Sequence, residues 1–302
     1  MLLNKQQIFS QSRVTQAVLG VSTEEFYNLL PTFSQCLREH RRILRPNRKR
    51  AVGQGRKGDL PTDEDKLLYI LLYMKLYPTY DALAVLSNHQ RSKCGDSVHL
   101  LLPVLEMTLG RKLVLPKRPR GNSLEKIFQD HPELKDIFID GTERRVQRPK
   151  NLKKRNKLYS GKKKATTRKT VVMSDEKKYI HYMSKTKSGR RHDKRIADKE
   201  AMAQCIPKDV TVWTDTGFQG MQKQHDNTVM PSKATKNKPL TWEQKQNNRL
   251  IAGIRVVSEH AIGGFKRFKA ASDIYRNKKA NFDDLLTEIS IGLWNFHLRQ
   301  TT

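Results

Sequence analysis

The chain is predicted to be an α/β protein in which an all-α region precedes a larger domain built on a mixed sheet. Three observations carry that expectation. Residues 1–115 hold apolar side chains at helical spacing between capping residues. From Lys135 onward, β-branched and aromatic runs alternate with helical stretches. Between them, Arg111–Ser123 is basic and contains Pro and Gly, which puts the boundary there and gives domains 1–115 and 116–302. A chain of 302 residues is long enough for two domains with a sizeable core.

Charge narrows the choice of partners. Lys plus Arg number 59 and Asp plus Glu 30, a net charge of +29. Such a balance speaks to partners and solubility, not fold. It points to a polyanion, nucleic acid first and anionic membrane second. No run of 18 or more apolar residues occurs, so no segment is expected to span a bilayer. The start has no compact apolar core of the kind a secretory signal needs. Cys36, Cys94 and Cys205 are odd in number and far apart, which argues against a disulfide framework or a cysteine zinc site and fits a reducing compartment.

Taken in order, Ser22-Thr23-Glu24-Glu25 opens a helix, followed by Phe26, Leu29 and Leu30 at helical spacing. Pro31 falls where that helix could give way to a second. Residues 41–57 carry Arg41, Arg42, Arg45, Arg48, Lys49, Arg50, Arg56 and Lys57 with no acid, broken by Pro46, Gly53 and Gly55. The segment reads as a solvated linker or a basic arm on phosphates; the overall charge favours the arm, with Arg48, Lys49 and Arg50 as DNA contacts. Leu60-Pro61-Thr62-Asp63-Glu64-Asp65 opens a strongly apolar helix that ends at Tyr77-Pro78-Thr79. A short helix follows from Thr79 or Tyr80, then a polar turn over Asn88–Gly95, then a helix over Val98–Leu109. That order suggests a helix-turn-helix with recognition residues near Gln90–His99; an ordinary three-helix bundle is the plainer alternative.

The second domain is organised around Asp136-Ile137-Phe138-Ile139-Asp140-Gly141-Thr142. Alternation puts Asp136, Phe138 and Asp140 on one strand face and Ile137 and Ile139 on the other. Asp-Gly is also a hairpin signal, so a turn at Asp140-Gly141 is an open alternative. Next come Thr170–Met173 and Tyr179–Met183 as a hairpin, a helix over Arg191–Cys205, a strand over Val210–Thr214, a short strand at Thr228–Met230, and helices over 242–268 and 282–299. This is the order of an RNase H-like sheet. In such a sheet the first and fourth strands are neighbours, so Asp140 and Asp215 can meet. Glu259, from a helix packed on the sheet, can complete the cluster. Three converging carboxylates are suited to two Mg²⁺ or Mn²⁺ ions and in-line phosphodiester displacement. Arg255, Glu259 and Lys266 fall within roughly 60° of one another around their helix. They make either a stripe facing metal and phosphates or an exposed ion-paired face.

Several motifs together resemble the DDE transposases of bacterial insertion sequences, most closely the "insertion sequence five" group related to Harbinger transposases. They are Ile139-Asp140-Gly141-Thr142-Glu143-Arg144 with Gln147-Arg148-Pro149, Tyr159-Ser160-Gly161-Lys162-Lys163-Lys164, Gly189 with His192-Asp193, Thr214-Asp215-Thr216-Gly217-Phe218, and Arg255…Glu259…Lys266. Ala252 stands where the family has Tyr and Thr166 where it has His. The resemblance implies Asp140, Asp215 and Glu259 as a catalytic, metal-binding triad for two Mg²⁺ (or Mn²⁺) ions. It implies Arg144, Arg148, Lys162, Lys163, Arg255 and Lys266 as further DNA contacts, and His192 and Asp193 as auxiliary residues. The implied activity is binding of inverted-repeat ends of an element, cleavage, and strand transfer into target DNA, by a dimer or larger assembly at the bacterial nucleoid. The rival expectation is a domesticated DNA-binding protein that no longer cleaves.

Overall fold

The computed structural model describes residues 4–47, 58–119, 121, 123–235 and 239–301. In chain order its helices are α1 (Lys5–Phe9), α2 (Ser12–Leu19), α3 (Thr23–Leu44), α4 (Asp63–Leu76), α5 (Tyr80–Ser87), α6 (Arg91–Arg111), α7 (Ser123–Asp130), α8 (Leu152–Leu158), α9 (Asp193–Lys199), α10 (Met202–Cys205), α11 (Trp242–Lys266), α12 (Lys269–Ser272) and α13 (Phe282–Thr301). The strands are β1 (Asp136–Arg145), β2 (Tyr159–Ser160), β3 (Ala165–Asp175), β4 (Ile180–Met183), β5 (Lys187–Ser188), β6 (Thr211–Thr214) and β7 (Thr228–Val229). The chain divides into two compact units, one of Met1–Leu115, Phe265–Asp273 and Leu285–Thr302, the other of Pro116–Gly264 and Ile274–Asp284.

The first unit is all helix and is centred on α4. Thr62 Oγ1 accepts from the Asp65 amide and Asp65 Oδ2 accepts from the Thr62 amide, both at 3.0 Å, closing a capping box that starts the helix. Leu67, Leu68, Ile70, Leu71, Leu72 and Met74 are all buried, so α4 is apolar around its circumference and takes neighbours on every side. Pro31 does not divide α3, which runs unbroken from Thr23 to Leu44. Pro31 and Tyr27 both lie on its exposed side, where water can satisfy the carbonyl that the proline leaves unpaired. Arg41 and Arg42 therefore sit in the last turn of a helix rather than in an arm, where they complement its dipole. Arg48, Lys49 and Arg50 fall outside the described residues.

The turn expected over Asn88–Gly95 is only Asn88–Gln90, because α6 begins at Arg91. Cys94 and Val98 are both fully buried, so the apolar stripe of α6 starts a turn earlier than its polar surface residues suggest. The last helix was expected in the sheet domain. Instead, most of α13 belongs to the helical unit. His297 Nδ1 pairs with Glu25 Oε1 at 2.6 Å, and Asn295 Nδ2 donates to the Val114 carbonyl at 2.9 Å. Leu286, Ile289, Leu293 and Phe296 are buried, and an apolar helical stripe says nothing of which neighbour will cover it.

The second unit is built on a sheet of order β2-β3-β1-β6-β7, with β4 and β5 also pairing with β3. β1 passes straight through Asp140-Gly141 to Arg145, antiparallel to β3 and parallel to β6. No hairpin turn forms there. Ile137, Ile139, Val171, Met173 and Val212 share one face and pack with Ile196, Ala197 and Phe218 into a core. On the other face Phe138 stacks on Trp213 with ring centroids 6.4 Å apart, and Trp213 Nε1 donates to Asp136 Oδ1 at 2.7 Å. The helix expected over Arg191–Cys205 is two, α9 and α10, interrupted at Ala201 in the left-handed region. Glu200, just before the break, is held by the Tyr182 hydroxyl at 2.8 Å and the Lys185 amide at 3.1 Å.

Candidate active site

Strand register brings two of the expected carboxylates together. Ile139 of β1 pairs with Thr214 of β6 in a parallel ladder. Asp140 and Asp215 each follow by one residue, so both leave adjacent strands on the same face. Neighbouring strands lie about 5 Å apart, close enough for two carboxylates to interact strongly. The Gly141 amide donates to Asp140 Oδ1 at 2.7 Å, and the Gly217 amide donates to Asp215 Oδ1 at 2.8 Å. Asp215 thereby caps the short 3₁₀ turn Thr216–Phe218 that ends β6.

A third carboxylate enters from α9. Ile196 and Ala197 bury one face of that helix in the core, which carries its first residue, Asp193, to Gly141 of β1 and Gly217 beyond β6. A methyl group on Gly141 would lie 2.3 Å from Asp193 Oδ1, and one on Gly217 would lie 3.0 Å from Asp193 Oδ2. Only glycine at both positions leaves room for this carboxylate between two backbones. The motifs Asp-Gly-Thr and Asp-Thr-Gly thus each supply an acid and the space for another.

Two of these acids hold their protons more tightly than usual. Burial first, then the charge of Asp215, pushes Asp140 up from 3.8 to about 6; the Gly141 amide and Arg255 pull in the other direction. Asp193 is also raised, by burial first and by Asp215, with Lys169 opposing. Lys169 is buried and bridges Asp193 at 3.1 Å and Glu143 at 3.4 Å. Thr167 Oγ1 donates to Glu143 Oε2 at 2.6 Å. Glu143 and Lys169 face each other across β1 and β3. Sequence reasoning missed Lys169. The available signal was a lysine at an inward position, in step with Val171 and Met173, of an otherwise buried strand.

α11 approaches the Asp140 side of the sheet, with Arg255 Nη2 3.9 Å from Asp140 Oδ2. Glu259 follows one turn later, so it lies near the same stripe, and it is exposed. Among the described residues no three Asp, Glu, His or Cys side chains stand together as a ready-made metal centre. The donor chemistry nevertheless fits a hard divalent cation: carboxylate oxygens, desolvated and repelling one another. Lys266 is half-buried in the part of α11 that belongs to the helical unit.

The remaining expected contacts separate. Arg144 is only 8% exposed and lies over the Tyr275 ring at 5.0 Å, within the packing of the sheet unit. Lys162 and Lys163 are exposed, and Lys162 is near enough to Asp193 to lower its proton affinity. Arg148 lines a cleft with Arg155 and Lys164, and His192 lines another.

Comparison with known proteins supplies the family context. The family described as DDE superfamily endonuclease matches residues 139–295. A probable transposase for insertion sequence element IS702 of Microchaete diplosiphon is 28% identical over 260 residues, covering 85% of this chain and 88% of that protein. No solved structure matches. Among the described residues no helix is long and apolar enough to cross a membrane.

Proposed function

Because the chain belongs to the DDE superfamily endonucleases and is similar to a probable insertion-sequence transposase, we propose that it is a transposase and that Asp140, Asp215 and Glu259 form its catalytic triad. The observation that carries this reading is the pairing of the strands that bear Asp140 and Asp215, with burial and the charge of Asp215 raising the proton affinity of Asp140. The same three carboxylates would hold Mg²⁺ or Mn²⁺. When bound, such ions supply charge stabilisation and an activated oxygen nucleophile for in-line displacement at phosphorus.

The chain's own groups prepare that site. The amides of Gly141 and Gly217 orient one oxygen of each aspartate and leave the other free to bind. Asp193, clamped by Lys169, adds negative charge close to Gly141 and Gly217. Arg255 offsets part of this charge in the free protein and is placed to meet a phosphate when a cation occupies the acids. The substrate is double-stranded DNA: the inverted-repeat ends of the element, cut at phosphodiester bonds and joined to target DNA. The helical unit, with the basic segment 41–57, recognises those ends. Holding two ends at once calls for a dimer or larger assembly on DNA.

The test is single-turnover cleavage of a labelled element end in Mg²⁺. Asp140→Asn, Asp215→Asn and Glu259→Gln should each reduce cleavage by several orders of magnitude while end binding persists. Near wild-type cleavage by any of them removes that residue from the triad. Binding without cleavage by the unaltered chain would establish the domesticated binding protein instead.

A further inference from the structure

The sheet unit carries a cationic cleft that the triad does not use. It encloses about 630 Å³ and is lined by Lys153 and Lys157 of α8 and by Arg190, Arg191, His192 and Arg195 around the start of α9. No carboxylate lines it. Other cations of the same unit are matched to acids, as Arg168 is to Asp283, Lys135 to Asp209 and Lys194 to Asp198. The two lysines and three arginines of the cleft form no ion pair with any described carboxylate. Five uncompensated charges around one cavity repel one another, and that arrangement is relieved by a polyanion.

Helix α8 points the same way. Its sequence, Leu152-Lys153-Lys154-Arg155-Asn156-Lys157-Leu158, buries no side chain. A helix this short is not stable through propensity alone, and this one contributes nothing to a core. It is started by Asn151, whose side-chain oxygen accepts from the Lys154 amide at 3.0 Å, and it is followed by β2 on the edge of β3. A smaller cleft, sharing Asn156, holds Arg148, Arg155 and Lys164 beside Tyr159, which is 45% exposed. The opposite wall of the larger cleft is firm. The Gly189 amide donates to the Thr167 carbonyl at 2.9 Å and the Arg191 amide to the Ser188 carbonyl at 3.0 Å. His192 lines the cleft and the next residue, Asp193, joins the acid cluster, so cleft and acids adjoin.

We propose that this cleft is a DNA subsite that holds the sugar-phosphate backbone of the strand leading to Asp140 and Asp215. The assignment rests on the transposase reading above and adds to it the path of the substrate. Arginine and lysine side chains with no internal acid suit phosphate oxygens, and each phosphate contact releases condensed counterions.

The test is equilibrium binding of the full chain to a labelled duplex taken from the DNA flanking its gene, over a range of salt. Lys157→Gln/Arg191→Gln/Arg195→Gln is compared with Lys126→Gln/Lys177→Gln/Lys208→Gln, which removes equal charge from exposed positions elsewhere on the same unit. About 0.9 of logarithmic salt slope is lost per phosphate contact, so the cleft variant should lose about 2.7. Between about 50 and 200 mM salt its affinity should fall about 40-fold less than that of the unaltered protein. Equal slopes in the two variants, or an unchanged slope in the cleft variant, overturn the proposal. So does tighter binding of a single-stranded RNA than of the duplex through these residues. Phosphate-ethylation interference on the unaltered protein needs no variant: blocking phosphates should lie next to the scissile bond, and none there overturns the subsite. Normal cleavage with an unchanged slope removes the cleft and keeps the enzyme. A flattened slope in a chain that never cleaves keeps the cleft and removes the enzyme.

Discussion

Replacing Asp140 by Asn should make the metal-free protein more stable at neutral pH while destroying its activity. The carboxyl of Asp140 is only 16% exposed, and its proton affinity rises from 3.8 to about 6 on folding, chiefly through burial and then through Asp215. A folded value above the unfolded one means that stability is highest below 3.8 and is lost as pH rises through about 6. Each tenfold change in proton affinity corresponds to about 1.4 kcal/mol, so the ionised carboxylate costs about 3 kcal/mol at pH 7.5 and about 0.5 kcal/mol at pH 4. Asn is nearly isosteric and keeps an oxygen for the Gly141 amide. The assay is urea unfolding of both proteins in EDTA at the two pH values. Asp140→Asn should be the more stable by about 3 kcal/mol at pH 7.5, with most of the difference gone at pH 4. Added Mg²⁺ should stabilise the unaltered protein and leave the variant nearly unmoved. A variant no more stable than its parent at pH 7.5 would refute the account of a desolvated, mutually repelling acid cluster.

Three further outcomes follow from neighbouring contacts. Lys169→Met leaves Glu143 and Asp193 facing each other without their shared cation and should destabilise the fold by about 3–5 kcal/mol, with partial recovery in Lys169→Met/Glu143→Gln; thermal unfolding of these two, of Glu143→Gln and of the unaltered protein reads the coupling. Gly141→Ala places a methyl 2.3 Å from Asp193 Oδ1 and should cost about 1–3 kcal/mol by denaturant titration, with cleavage lost well beyond the loss of stability. Asp65→Ala opens the capping box of α4 and should cost about 1 kcal/mol without altering cleavage at permissive temperature.

Much of this protein was legible because the relevant signals are local. Thr62-x-x-Asp65 writes its own helix start, and the alternation of Asp136 to Asp140 writes a strand with an apolar and a polar face. Asp140 and Asp215 could be chosen because each follows an apolar strand run, although β1 continues past Asp140 to Arg145, and the register of β1 against β6 brings them side by side. Other decisions depended on who would be the neighbour. Arg144 reads as a surface cation until Tyr275, far along the chain, supplies a ring for it. The apolar stripe of α13 looks the same whether a sheet or a helical bundle covers it, and the bundle does. The polar stretch after Asn88 looks like a long turn until Cys94 and Val98 are drawn into a core. Gly141 and Gly217 are ordinary turn residues until α9 brings Asp193 between them. Hydrogen-bonded caps and side-chain periodicity act over a few residues and are present in the sequence itself. Close approach, shared cations and the choice of packing partner act between distant segments, and only the folded chain settles them.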